Sequence, residues 1–218
     1  MNNSNFKKLS KHLMENILPT YEKLDRAHNA KHIENVMAYG VEICRVIGYE
    51  NIGVIITALA YHDIGMLYGE RKHHHIISAG IVFSDSKLRE IFTKEEIALI
   101  YKAVIEHRTS IEKTTLESKI VSDADKLDSL SGVDRMFDRS VKYNYDNKKG
   151  NVDEEELFQD VYVHLKEKFG DMGEVKFNIP EVGEMYKDIK KEIESVLNDE
   201  EKSRKKFSDV YKRLIDGK

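Results

Sequence analysis

The stretch Asn51-Ile-Gly-Val-Ile-Ile-Thr-Ala-Leu-Ala-Tyr-His62-Asp63-Ile-Gly65 decides how this chain folds. Ile52, Ile55, Ile56 and Leu59 recur at three- and four-residue steps, which is the period of a helix and not of a strand. Asn51 stands where an N-cap would open that helix, and Gly65 where a C-terminal turn would close it. His62 and Asp63 continue the inward row, so an imidazole and a carboxylate extend a buried face. A buried carboxylate is costly unless a cation or several donors compensate it. The stretch therefore predicts both a helix and a partner for its acid.

The flanking sequence repeats the pattern. Ile33, Val36, Met37, Val41 and Cys44 mark a helix from about Asn29 to Cys44, with His32 bordering its core face. A helix is expected from about Lys72 to Asp85, where His75 precedes Ala79 and Val82 by four and seven, and then a short connection from Lys87 to Phe92. Thr93-Lys-Glu-Glu96 reads as a capping box. It opens a helix whose inward row Ile97, Ile100, Tyr101, Val104 continues at His107. Further helices are expected from Asn5 to Leu24, within Thr114 to Leu130, and from Val133 to Tyr143. Only Pro19 and Pro180 interrupt the chain and no strand alternation of useful length appears, so the fold class is all-α. Asn144, Asp146, Asn147, Gly150 and Asn151 make Tyr143 to Asp153 a loop. Amphipathic helices follow at Glu154 to Phe169, Pro180 to Leu197 and Glu201 to Ile215. The expected organisation is a helical bundle over residues 1–145 and a helical cap packed on it over residues 146–218, the two forming one continuous unit. The Tyr and Met stripes of the cap are read first as core packing, with a homo-oligomer surface as the alternative.

Composition narrows the functions. With 35 basic and 39 acidic residues the net charge is −4, which argues against binding double-stranded nucleic acid through its phosphates. No apolar run approaches the roughly 20 residues that span a bilayer, and Met1 to Ser10 lacks the apolar core of a secretory signal. A cytoplasmic location and no membrane role are expected. Cys44, the single cysteine, makes no internal disulfide and reads as packing. The run Lys202 to Lys206 reads as a solvated helix face.

Of nine histidines, seven lie between positions 28 and 107, which concentrates metal-binding and proton-shuttling side chains in one region. In the Thr114 to Leu130 segment, Val121, Ala124, Asp125 and Asp128 follow the inward spacing, while Asp123 fits a competing row through Ile120 and Leu127. Periodicity leaves Asp123 and Asp125 open. One inward histidine is more often a hydrogen-bonded core residue than a ligand. Here four separate helices begin or end with inward metal-type side chains, and His12 and His164 stand apart from them. Imidazole with carboxylate suits Zn, Fe, Mn, Ni or Co better than Ca or Mg. Ligands drawn from separate helices leave coordination positions open, as catalytic sites do.

His28-Asn-Ala-Lys-His32-Ile-Glu-Asn-Val36, then Ala60-Tyr-His62-Asp63-Ile-Gly65, then Val121-Ser-Asp-Ala-Asp125-Lys-Leu-Asp128 resemble, in that order, the HD superfamily of metal-dependent phosphohydrolases. The resemblance spans roughly residues 25 to 140 and implies an HD-domain-like helical bundle with additional C-terminal helices. It implies a first metal on His32, His62, Asp63 and Asp125, and so favours Asp125 over Asp123. A second metal, held in some members, would fall to His75 or His74 with His107, bridged by Asp63. Asp128 would face the ligand. Arg71-Lys-His-His-His75-Ile-Ile-Ser-Ala79 and Ile105-Glu-His107-Arg108 look like a bacterial subgroup of the superfamily. The chain lacks the glycine-tyrosine-proline signature of the cyclic dinucleotide phosphodiesterases and the acidic residues that follow the pair in alarmone hydrolases.

The activity so implied is hydrolysis of a phosphoester or phosphoanhydride of a small phosphorylated substrate, a nucleotide foremost, by attack of a metal-bound hydroxide. Asp63 would serve the chemistry, and Lys126 foremost, with Arg71, Arg108 and Lys72, would neutralise charge on the phosphoryl oxygens. His28, one turn before His32, would protonate a leaving oxygen or only cap its helix. The rival readings are a nucleotide-binding regulatory module that uses the same metal without turnover, and a structural metal bundle.

Overall fold

A computed structural model describes residues 1–148, 152–169 and 176–216, and every regular element among them is helical. Contacts divide the chain into two compact units. One comprises Met1–Leu24, His28–Asp128 and Asn178–Val182; the other comprises Asp25–Ala27, Ser129–Phe177 and Gly183–Lys218.

The first unit holds α1 (Asn3–His12), α2 (Ala30–Ile47), α3 (Ile52–Tyr61), α4 (His74–Ser84), α5 (Ser86–Ile91), α6 (Lys94–Glu106) and most of α7 (Leu116–Leu130). The centre is α3. Eight of its residues are buried, including Val54, Thr57, Ala58 and Ala60 off the expected stripe. A helix that is apolar all round belongs inside, and α2 and α6 pack against it accordingly. A Cβ on Gly40 of α2 would strike the Leu59 side chain, so glycine sets how closely these two helices cross. Gly48, with φ of 69°, closes α2 in the left-handed conformation that suits glycine. The Thr93 capping box forms as expected, with both hydrogen bonds present. Cys44 is buried, and burial pushes its thiol up to about 11.

Several local expectations are corrected. The first helix stops at His12; Leu13–Ile17 winds into a π turn and Leu18–Lys23 into a 3-10 turn. Pro19 has no amide to donate, so an α-helical ladder cannot run through it. Asn51 does not cap α3 with its side chain, which instead donates to Glu96 Oε1 at 2.9 Å. Lys87 to Phe92, expected as a connection, lies largely in α5, capped by Asp85 accepting from the Lys87 amide at 2.8 Å. Gly65 adopts no left-handed turn. A Cβ there would strike the His74 carbonyl oxygen and sit 2.7 Å from the Ser78 amide, while the Gly65 amide donates to Ser78 Oγ at 2.8 Å. Glycine stands at position 65 so that α4 can lie against this turn.

The second unit is built on α8 (Val133–Asn147), α9 (Glu154–Phe169), α11 (Lys187–Leu197) and α12 (Glu200–Asp216), with α10 (Pro180–Met185) leading into α11. The expected Pro180 to Leu197 helix is thus two, parted at Tyr186. Helix α8 also continues past Tyr143 to Asn147, which takes up the first part of the expected loop. Residues 149–151 of that loop lie outside the described residues. Phe137, Leu157, Phe158, Leu197 and Phe207 centre the core. Burying side chains of this kind is worth about 1.5–3 kcal/mol each. Arg204 lies over the Phe158 ring at 4.0 Å and pairs with Glu155, and Lys206 pairs with Asp134 at 2.7 Å. The run Lys202 to Lys206 is therefore partly engaged.

Candidate metal centre

Five helices bring the site together within the first unit. His32 lies in the first turn of α2, where the Asn29 side chain accepts from the His32 amide at 3.2 Å. The helix cap is thus Asn29, not His28. His62 and Asp63 follow the last residue of α3, where the chain loosens into the Ile64–Leu67 3-10 turn. His74 is the first residue of α4, His107 follows the end of α6, and Asp125 lies in α7.

Asp63 stands at the middle. Its Oδ2 is 3.2 Å from His62 Nε2 and 3.5 Å from His32 Nε2, and its Oδ1 is 3.1 Å from His74 Nε2 and 3.7 Å from His107 Nε2. Asp125 Oδ1 lies 3.6 Å from His32 Nε2 and 3.8 Å from His62 Nε2. Two overlapping donor groups result, His32-His62-Asp63 and Asp63-His74-His107, each with its ligand atoms within 4.8 Å of one another.

The other ring nitrogens fix what these atoms offer. His62 Nδ1 donates to the Leu59 carbonyl at 2.7 Å, His74 Nδ1 to the Arg71 carbonyl at 2.5 Å, and His107 Nδ1 to the Val104 carbonyl at 2.6 Å. A carbonyl only accepts, so each Nδ1 carries a proton and each Nε2 is left for a cation or a further proton. His32 Nδ1 bonds Asp128 Oδ2 at 2.7 Å. The Nε2 atoms of His32 and His62 are buried without a hydrogen-bond partner. Those of His74 and His107 lie 2.9 Å apart, where two bare lone pairs would repel. Orphaned imidazole nitrogens around a shared carboxylate fit divalent metal ions, with the outer nitrogens held as metal ligands usually are.

The charges agree. Burial acts to raise the Asp63 carboxyl, but the His62 charge and the His32, His62 and His74 rings beside it outweigh it and hold the acid well below its ordinary range. Asp125 is lowered in the same way, burial being overcome by the neighbouring His62 and His32 rings. Burial would lower His62, yet Asp63 and Asp125 keep it raised. His107 is pushed down to about 3 by burial and then by the His62 charge, so it presents a lone pair.

The remaining expected residues divide. His74, not His75, joins the cluster; the His75 ring is 5.7 Å from that of His74, and its buried Nδ1 has no hydrogen-bond partner. Asp128 is fully buried and takes hydrogen bonds from His32 (2.7 Å) and Asn35 (2.8 Å), so it holds the His32 ring. Asp123 turns elsewhere, accepting from the Asn178 amide and side chain at 2.9 and 2.7 Å and from the Ile179 amide at 2.9 Å. Lys126 Nζ lies 3.7 Å from Asp123, and burial lowers its pKa. Arg71 donates to His28 Nε2 at 3.2 Å, and the His28 ring stands edge-on to His32 at 5.7 Å. Arg108 donates to the Lys72 carbonyl, while Lys72 itself pairs with Glu70 at the surface. Sequence reasoning missed Asn35, although its place one turn after His32 was a usable signal.

The class of protein is thereby defined: a helical bundle that gathers histidines and aspartates from five helices into a cluster that could hold a metal ion. Residues 29–130 match the family model of the HD domain, a domain that implies the superfamily of metal-dependent phosphohydrolases, and the clustered His and Asp residues are consistent with that family's metal site. No curated protein and no solved structure matches the chain. No helix among the described residues is long and apolar enough to cross a membrane.

Proposed function

We propose that this protein hydrolyses a phosphoester or phosphoanhydride of a small phosphorylated molecule, with nucleotides the first substrates to test. The observation that carries the reading is the convergence of four imidazole Nε2 atoms on the two oxygens of Asp63. His32, His62, Asp63 and Asp125 would hold one divalent ion, and Asp63, His74 and His107 a second. An ion of the Mn, Fe, Co, Ni or Zn type supplies Lewis acidity and acidifies bound water.

The protein's own groups do the rest. Asp128, Leu59, Arg71 and Val104 keep the four rings turned so that Nε2 faces inward. The Asp125 side chain is 33% exposed while those of His32 and His62 are sealed, so solvent and substrate reach the cluster on the Asp125 side. Arg71 and Arg108 are assigned to the anionic substrate, where fixed cations stabilise charge gathering on phosphoryl oxygens. Lys126 is assigned the same task in support. His28 Nε2 accepts from Arg71, so His28 orients that guanidinium and keeps its own proton on Nδ1.

The test is a panel of nucleotides and other phosphate esters with the protein loaded with Mn, Fe, Co or Ni. Metal-dependent release of phosphate or nucleoside monophosphate is expected, with loss of activity on chelation and in His62→Ala and Asp63→Ala. Full metal-dependent activity in both variants would remove the centre from the chemistry. Bound nucleotide that is never turned over would select the regulatory alternative.

A further inference from the structure

We propose that Tyr21 is a positioning residue for the metal centre, its hydroxyl fixing the backbone that carries His62 and Asp63. The inference rests on the metal-centre reading above and extends it to a segment outside the residues that match the HD domain.

Tyr21 lies in the Leu18–Lys23 3-10 turn and is fully buried. Its hydroxyl donates to the Ala60 carbonyl at 3.0 Å. The last carbonyls of a helix lack intrahelical partners and must find others when buried. Here the helix must end at one particular place. The His62 amide already reaches Leu59 only through a long 3.4 Å bond, and Asp63 lies at φ −107° and ψ −2° where the chain leaves α3. One phenol thus engages an acceptor two residues before His62, in the last turn of α3. Metal ligands depend on small displacements, so the group that pins this backbone bears on where the His62 ring and the Asp63 carboxylate point.

The segment is organised to deliver that ring. Pro19 stands at the head of the turn, Thr20 Oγ1 donates to the Ile17 carbonyl at 2.5 Å, and the Leu24 amide donates to the Tyr21 carbonyl at 3.2 Å. The turn packs on both α2 and the Ile64–Leu67 turn, the elements on either side of the centre.

Tyr21→Phe keeps the ring and removes the oxygen. Chelator competition with Mn and Co is expected to show at least about tenfold weaker binding than wild type, and the visible absorption spectrum of the Co-loaded variant is expected to shift. Wild-type affinity together with a wild-type cobalt spectrum would overturn the proposal, whatever happens to thermal stability, because packing alone would then be the role of Tyr21. A wild-type protein that takes up no divalent ion overturns this proposal and the proposed function together.

Discussion

His32 shows how much of the chemistry is set by a neighbour that touches no substrate. Its Nδ1 is committed to Asp128, which is itself held by Asn35, so Nε2 has one direction left. Asp128→Asn should preserve the shape and remove the charge that makes the imidazole a strong donor. Metal affinity, read by chelator competition, is expected to fall about 10- to 100-fold while cooperative unfolding persists; unchanged affinity would show that Asp128 is only filling space. The paired choices left by the sequence are settled at the same level. Asp123 and Asp125 differ by 200° around α7, and one meets Asn178 while the other meets His32 and His62. The partner of Asp123 lies 55 residues away, so no local pattern could have revealed it. His74 and His75 were inseparable for the same reason: the start of α4 decides which ring faces Asp63.

Helices announced themselves where their apolar faces and caps were strong. The Thr93 capping box and the Glu154–Phe169 helix were legible, because hydrophobic period and terminal side chains agree there. Connections were less legible, since π and 3-10 turns have no hydrophobic period of their own. His12, set apart from the metal cluster by its position in the sequence, proves to be part of a latch between elements. Its Nε2 lies 2.9 Å from Asp85 Oδ2, to which Tyr61 also donates at 2.5 Å, joining α1, α3 and the head of α5. Burial acts to raise the Asp85 carboxyl, but the hydrogen bonds from Tyr61 and His12 outweigh it, and the acid titrates below its ordinary value. A depressed acid stabilises the fold above its unfolded pKa, and that contribution is lost as pH falls through the folded one. Urea unfolding should therefore show Asp85→Asn less stable than wild type by about 1–2 kcal/mol near neutral pH. The gap should close as pH drops through and below the ordinary aspartate value of about 3.9. A gap independent of pH would assign the loss to altered packing.

The unit that holds the metal centre is larger than the HD match. Met1–Leu24 supplies Tyr21 and His12, and Asn178–Val182 is held by Asp123. The centre ties together helices spread from His32 to Asp125, so a bound ion should stabilise the folded chain against an unfolded one that has no preformed site. At a free metal concentration 100 times Kd the gain is about 2.7 kcal/mol. Calorimetry should show Tm rising with added Mn or Co and returning with EDTA; a Tm indifferent to metal would mean that the cluster is a proton-sharing network instead. The all-helical class, the sites of the strong helices and the ordered His and His-Asp pattern could be read directly from the chain, because helical period and residue chemistry are local properties. Which aspartate and which histidine join the centre, which carboxylate only steadies a ring, and the reach of Tyr21 to the end of α3 were decided by packing. Each depends on the rotation of one helix against another and on atoms far apart in sequence, and no local pattern of side chains encodes those.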